Sequence, residues 1–118
     1  MAVFIGGVLG GAARIGMGGL LPQEGWPWGT LVANVTGSFL LGYVLTRLLQ
    51  AGTRSSLGVP LLCVGVLGSY TTFSLYALEI WDLVDGGRAA IAVAYALTSV
   101  VAGLTAVLAG IRLGERHA

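Results

Sequence analysis

Four apolar runs, separated by short turn-rich segments, limit what this chain can fold into more than any other feature. They cover about Ala2 to Leu21, Gly29 to Leu49, Pro60 to Leu83 and Arg88 to Arg112. An α-helix rises about 1.5 Å per residue, so about 20 residues suffice to cross the roughly 30 Å of a bilayer's hydrocarbon core. A chain of 118 residues with four such runs is far too apolar for a soluble domain of its size. With 56% hydrophobic and 9% charged residues and a mean hydropathy of +0.89, the chain is expected to be an all-α integral membrane protein. One four-helix membrane domain is expected over residues 1–118. The first run lacks a basic leader and is interrupted by Arg14, so it is expected to be a retained helix rather than a cleaved signal.

The third run carries the anomaly. At its centre, Gly68-Ser69-Tyr70-Thr71-Thr72-Phe73-Ser74 puts hydroxyls, aromatics and a glycine where a plain membrane helix carries aliphatic side chains. Hydroxyls compete for backbone groups and Gly68 lacks a Cβ, so the helix is expected to unwind there. Freed carbonyls are tolerated at bilayer depth only beside protein, water or an ion. The stretch is therefore expected to be a site. Beyond it, Tyr70, Phe73 and Tyr76 recur every three residues and Glu79 continues the row towards an interface, where a carboxylate is cheap. Such a stripe is core in most helices, and the broken backbone beside it favours a pore lining.

The other runs supply fewer polar groups. In the first, Gly6 and Gly10, then Gly7 and Gly11, put small surfaces on adjoining faces for close packing. Arg14 either snorkels to an interface or stands as a positive charge at an anion vestibule. Trp26 and Trp28 in the first loop suit headgroup level. In the second run Asn34 either bonds across helices or lines a polar pathway. In the fourth, Ala92, Ala96, Ser99, Gly103, Ala106 and Gly110 form a small-residue stripe, with Tyr95 and Ser99 one turn apart. The tail from Gly114 onward is expected to be solvated, and His117 in it to be neither ligand nor catalyst.

Several function classes are disfavoured. The net charge is +1 and the six basic residues, all arginine, are scattered, which gives no footprint for nucleic acid. Cys63 reads as a small buried hydrophobe. No His, Cys, Asp or Glu cluster has metal-ligand spacing, and no nucleophile is set with a base in a recognisable motif, so an enzyme is not expected.

The run Gly25-Trp26-Pro27-Trp28-Gly29-Thr30-Leu31 followed by Asn34 and Gly37, the run Gly65-Val66-Leu67-Gly68 leading into Thr71-Thr72-Phe73-Ser74, and Gly11-Ala12-Ala13-Arg14 together resemble the Fluc (CrcB) fluoride channels. The likeness covers all four runs. It implies an antiparallel dimer of four-helix subunits with two fluoride pores, and a structural sodium ion (Na+) held at the centre by backbone carbonyls of the broken third helices. Carried over, the sodium ligands are the carbonyls of Gly68 and Thr71, and the pore residues include Asn34, Phe73, Ser74, Tyr95 and Ser99. Tyr76 stands where the family commonly has a second phenylalanine, Leu75 where a small hydroxyl residue is usual, Ser69 for a glycine and Gly103 where a serine can occur. Tyr76 can still present a ring edge to an anion, so it joins the expected pore lining, with Arg14 and Glu79 at its vestibules.

The resemblance implies a fluoride-selective channel subunit for passive export of cytoplasmic fluoride, conferring fluoride resistance. An inner (plasma) membrane location with both termini cytoplasmic is expected: Arg47, Arg54, Arg112 and Arg116 then lie inside against Arg88 outside. Such a bias favours one insertion sense, and hence pairing with an oppositely oriented homologous subunit. One alternative is a small multidrug-type proton-coupled exporter, which needs an acidic residue in its first helix where this chain has Arg14. The other is a non-conducting partner subunit of a heterodimeric channel.

Overall fold

The computed structural model describes residues 1–20, 25–51 and 58–117, and within them the regular structure is helical. Helix α1 covers Ala2–Leu20 and α2 covers Trp28–Gln50. The third span opens as a π-helix over Val59–Leu67, tightens into one α-turn, α3, at Gly68–Tyr70, breaks, and resumes as α4 over Ser74–Asp85. Helix α5 is the longest, Ala89–Arg116. The four spans are each long and apolar enough to cross a membrane. The end of the first run at Leu21, the loop residues Pro22, Gln23 and Glu24, and Arg54 lie outside the described residues.

Small residues rather than large ones hold the spans together. A lipid tail is as apolar as leucine, so burying a leucine between membrane helices gains little, whereas backbone approach over small residues gains dispersion contacts. Large side chains accordingly point outward: Phe4, Val8 and Ile15 of α1, and Val93, Leu97, Val101, Leu104 and Leu108 of α5, are all exposed. Glycines point inward. A Cβ on Gly6 would stand 2.9 Å from the Cα of Gly65, and one on Gly10 would stand 2.8 Å from the carbonyl carbon of Val66. Helix α1 thus lies backbone to backbone on the π-helical half of the third span. Gly11, on the adjoining face, has open space before it.

Helices α2 and α5 run parallel in a fixed register. Gly42 abuts the carbonyl of Val107, Gly110 abuts the carbonyl of Phe39 and the amide of Tyr43, and Gly114 packs on Thr46. This register corrects the sequence reading at the C-terminus. Gly114 is buried against α2 instead of starting a solvated tail, and the helix continues to Arg116. The Arg47 guanidinium donates to the His117 carbonyl, and the Tyr43 hydroxyl lies 3.2 Å from His117 Nδ1. These cross-helix contacts supply a stop that periodicity does not reveal. At the other end the chain reverses tightly between α4 and α5, with the Arg88 amide bonded to the Leu83 carbonyl at 2.8 Å and Gly87 at φ +75°, a left-handed conformation that favours glycine. Leu31, Leu83, Ala92 and Tyr95 form a buried cluster near this end.

Candidate functional site

The break lies where the polar stretch led us to expect it, and its geometry explains how it survives at bilayer depth. Thr71 is extended, at φ −81° and ψ 155°, and the helix restarts at Ser74. In an α-helix the Gly68 carbonyl would accept from the Thr72 amide. That amide instead donates to Asn34 Oδ1 at 2.8 Å, while Asn34 Nδ2 donates to the Thr72 carbonyl at 3.0 Å. Likewise the Leu75 amide, which would serve the Thr71 carbonyl, donates to Thr72 Oγ1 at 3.2 Å. Asn34 therefore clamps the unwound backbone from α2. The carbonyls of Gly68 and Thr71 lose their helical donors, leaving two oxygens of the kind a hard cation accepts.

The break also rearranges the aromatic row. Tyr70, on the near side, turns towards α2, is nearly fully buried, and lies 2.9 Å from Thr36 Oγ1. It does not share a face with Phe73 and Tyr76, because one extended residue interrupts the helical phase. Phe73, on the far side, is 78% exposed, with its ring 5.8 Å from that of Tyr76. Tyr76 packs 5.4 Å from the ring of Tyr95 and donates its hydroxyl to the Ala96 carbonyl at 3.0 Å. This hydroxyl ties the ring of α4 to the backbone of α5. Tyr76→Phe keeps the ring contacts and removes one hydrogen bond, so unfolding in detergent is expected to lose about 1 kcal/mol. A loss several times larger would mean that the hydroxyl holds more than Ala96.

A groove of about 370 Å³ opens between α2, α5 and the broken span. Of the residues singled out from the sequence, Asn34, Phe73, Tyr76 and Ser99 line it, together with Gly68 and Thr71 of the break. Ser74 is exposed at the start of α4, 3.4 Å from Thr72 Oγ1, and is outside the wall. Tyr95 lies one turn beyond the groove and is completely buried. Its hydroxyl donates to Glu79 Oε2 at 2.8 Å, and Thr30 donates to Glu79 Oε1 at 2.7 Å. Glu79 is thus tied into the bundle by two hydroxyl donors, and a smaller cavity of about 220 Å³ on its far side, shared with Trp26, Asp82 and Arg88, leads to the loop end. Arg14 is half-buried on α1, lines neither cavity, and has no ion-pair or hydrogen-bond partner among the described residues.

Thr30 and Thr72 stood inside the runs quoted from the sequence, Thr72 in the stretch expected to be a site, but neither was given a role of its own. The signal for Thr30 is its spacing: Thr30, Asn34 and Ser38 stand four apart on one face of α2, as Tyr95, Ser99 and Gly103 do on α5. The parallel register brings the two rows together, over a length of about 12 Å from Thr30 to Ser38 at 1.5 Å per residue. The side-chain oxygen of Ser99 is sealed from solvent and has no hydrogen-bond partner among the described residues. A buried hydroxyl left unsatisfied costs about 1–3 kcal/mol, so Ser99 is a natural place for a transient ligand.

Known proteins share this layout in sequence. The chain is 44% identical over 108 residues to a Mycobacterium bovis protein named fluoride-specific ion channel FluC 1, which covers 90% of this chain and 82% of the relative. It is 42% identical over 117 residues to the Thermus thermophilus fluoride-specific ion channel FluC, covering 97% and 93%. It is 41% identical over 119 residues to the Paracoccus denitrificans protein of that name, covering 98% and 93%. The family model described as CrcB-like protein, Camphor Resistance (CrcB), matches residues 1–111, which include every residue lining the groove, and the chain belongs to that family.

Proposed function

We propose that this chain is a subunit of a fluoride-selective channel that lets cytoplasmic fluoride leave the cell down its gradient, giving fluoride resistance. The observation that carries the reading is the groove, in which a buried, unpartnered hydroxyl on Ser99 lies beside aromatic rings and a clamped break. The near full-length likeness to relatives named fluoride-specific channels supports it. A small hard anion has to exchange its water for donors of comparable strength. Hydroxyl hydrogens, amide hydrogens and the positive edges of aromatic rings offer that exchange. In this reading Asn34, Phe73, Tyr76 and Ser99 line the pore, Ser74 and Tyr95 flank it outside the groove wall, and Glu79 lies towards its outer end. Arg14, on α1 away from the groove, serves a vestibule only where it meets a second subunit.

The Gly68 and Thr71 carbonyls fit a structural sodium ion, because their helical donors are engaged by Asn34 and Thr72. When bound, the ion supplies the positive charge that makes freed carbonyls tolerable in hydrocarbon. The partner is a second homologous subunit inserted in the opposite sense. The exposure of Phe73 beyond its contact with Tyr76 leaves ring surface for that subunit to cover, which supports the pairing. Arg47, Arg112 and Arg116 gather at the end that carries His117, and Arg88 lies at the other. With the first group cytoplasmic in the plasma membrane, the chain inserts one way and the partner supplies the opposite sense.

Fluoride efflux from liposomes, read with a fluoride electrode beside a chloride control, tests both levels. Fluoride-selective efflux is expected when the chain is co-expressed with an oppositely oriented homologous subunit, and silence when it is alone. Fast selective efflux from the chain alone would overturn the heteromeric partner and keep the channel. Silence from both preparations, well folded, would overturn the channel.

A further inference from the structure

The polar row on α2 does not end at Asn34. Ser38 lies one turn further along, lines the same groove, and faces the bare backbone of Gly103, where an added Cβ would stand 3.8 Å from Ser38 Oγ. What matters at Ser38 is that its hydroxyl lines the groove without being spent on the backbone. Hydroxyls in membrane helices ordinarily bond back to a carbonyl one turn earlier. Thr36 does so to Val32 at 2.7 Å, Thr71 to Leu67 at 2.9 Å and Thr105 to Val101 at 2.8 Å. Ser38 makes no such bond, and its hydroxyl has no partner among the described residues. The amide of Asn34, by contrast, is largely spent on Thr72. The groove hydroxyls without a hydrogen-bond partner among the described residues are therefore those of Ser38 and Ser99, one on each wall, beside the second Nδ2 hydrogen of Asn34. No carboxylate lines the groove to repel an anion.

We propose that Ser38 is an anion-binding residue of this groove, acting with Ser99 across the gap left by Gly103 to hold a small hard anion beyond the Asn34 clamp. The inference rests on the channel reading and extends the conducting path by one helical turn towards the His117 end. In that role Ser38 donates its hydroxyl hydrogen to the anion in place of a water. Gly103 leaves the space in which the anion stands.

The test is fluoride efflux by the assembly that conducts, whether the chain alone or the co-expressed pair, carrying Ser38→Ala. The substitution breaks no hydrogen bond among the described residues, so thermal unfolding in detergent is expected to stay at the wild-type value. Efflux is expected to fall about tenfold, the size that follows from losing one hydrogen bond to a charged partner. Gly103→Ala is the second variant: its methyl makes only an ordinary contact with Ser38, so the fold is kept, and a comparable fall in efflux is expected from the crowded gap. Either well-folded variant conducting at the wild-type rate and fluoride-over-chloride selectivity would overturn the role of Ser38 while leaving the channel reading intact. A silent wild-type assembly would overturn both.

Discussion

Asn34→Ala is expected to destabilise the chain by about 2–4 kcal/mol and to abolish transport, because one side chain satisfies both backbone polar groups of Thr72. The arithmetic follows from what is left behind. Alanine removes two hydrogen bonds, each worth about 1 kcal/mol net, and strands a buried amide and carbonyl at about 1–3 kcal/mol for each unsatisfied group. Partial relaxation brings the sum down, since the Thr72 amide can swing back towards the Gly68 carbonyl and re-form the helix. That relaxation is what would end function: a continuous third helix has no freed carbonyls and no outward-turned Phe73. Thermal unfolding in detergent and hydrogen exchange of the Thr72 amide read the two effects separately. An unfolding midpoint within a degree of wild type, with the Thr72 amide exchanging freely and transport retained, would show that the break stands without its clamp.

Gly10→Ala is expected to cost about 3 kcal/mol or more, towards or beyond the upper end for an overpacked contact. The added methyl meets the Val66 carbonyl, which is backbone held inside the π-helical segment and has no rotamer by which to move aside. Relief requires α1 to move off the third span, which also opens the contact of Gly6 with Gly65. Gly11→Ala is the matched control, one residue along, where an added methyl meets nothing. Alanine gains up to about 1 kcal/mol over glycine in a helix interior, so Gly11→Ala should be neutral or slightly stabilising. Equal unfolding temperatures for the two variants would refute the tight α1 contact.

The sequence alone was enough to count the spans and to locate the interruption. Each follows from local chemistry: an apolar run of sufficient length forms a helix in lipid, and hydroxyls with a glycine at its centre compete for backbone groups only a few residues away. The small-residue faces were legible for the same reason, since spacing along a helix is a local property. Asn34, Phe73, Tyr76 and Ser99 were singled out as polar or aromatic groups at membrane depth, and the fold gathers them with Gly68 and Thr71 around one groove.

Only the tertiary structure decided how these groups are used. That Asn34 holds Thr72, that Tyr70 turns away to Thr36, and that Glu79 is held by Thr30 and Tyr95 are pairings between residues 16 to 49 positions apart in the chain. Such pairings depend on the register between spans, which the close approach of Gly42 to Val107 and of Gly110 to Phe39 sets. The same contacts carry α5 on to Arg116, past the end its periodicity suggested. A helix's own hydrogen bonds reach four or five residues, so the sequence determines where helices form and fail. Which face meets which is set where backbones touch, and that only the folded chain decides.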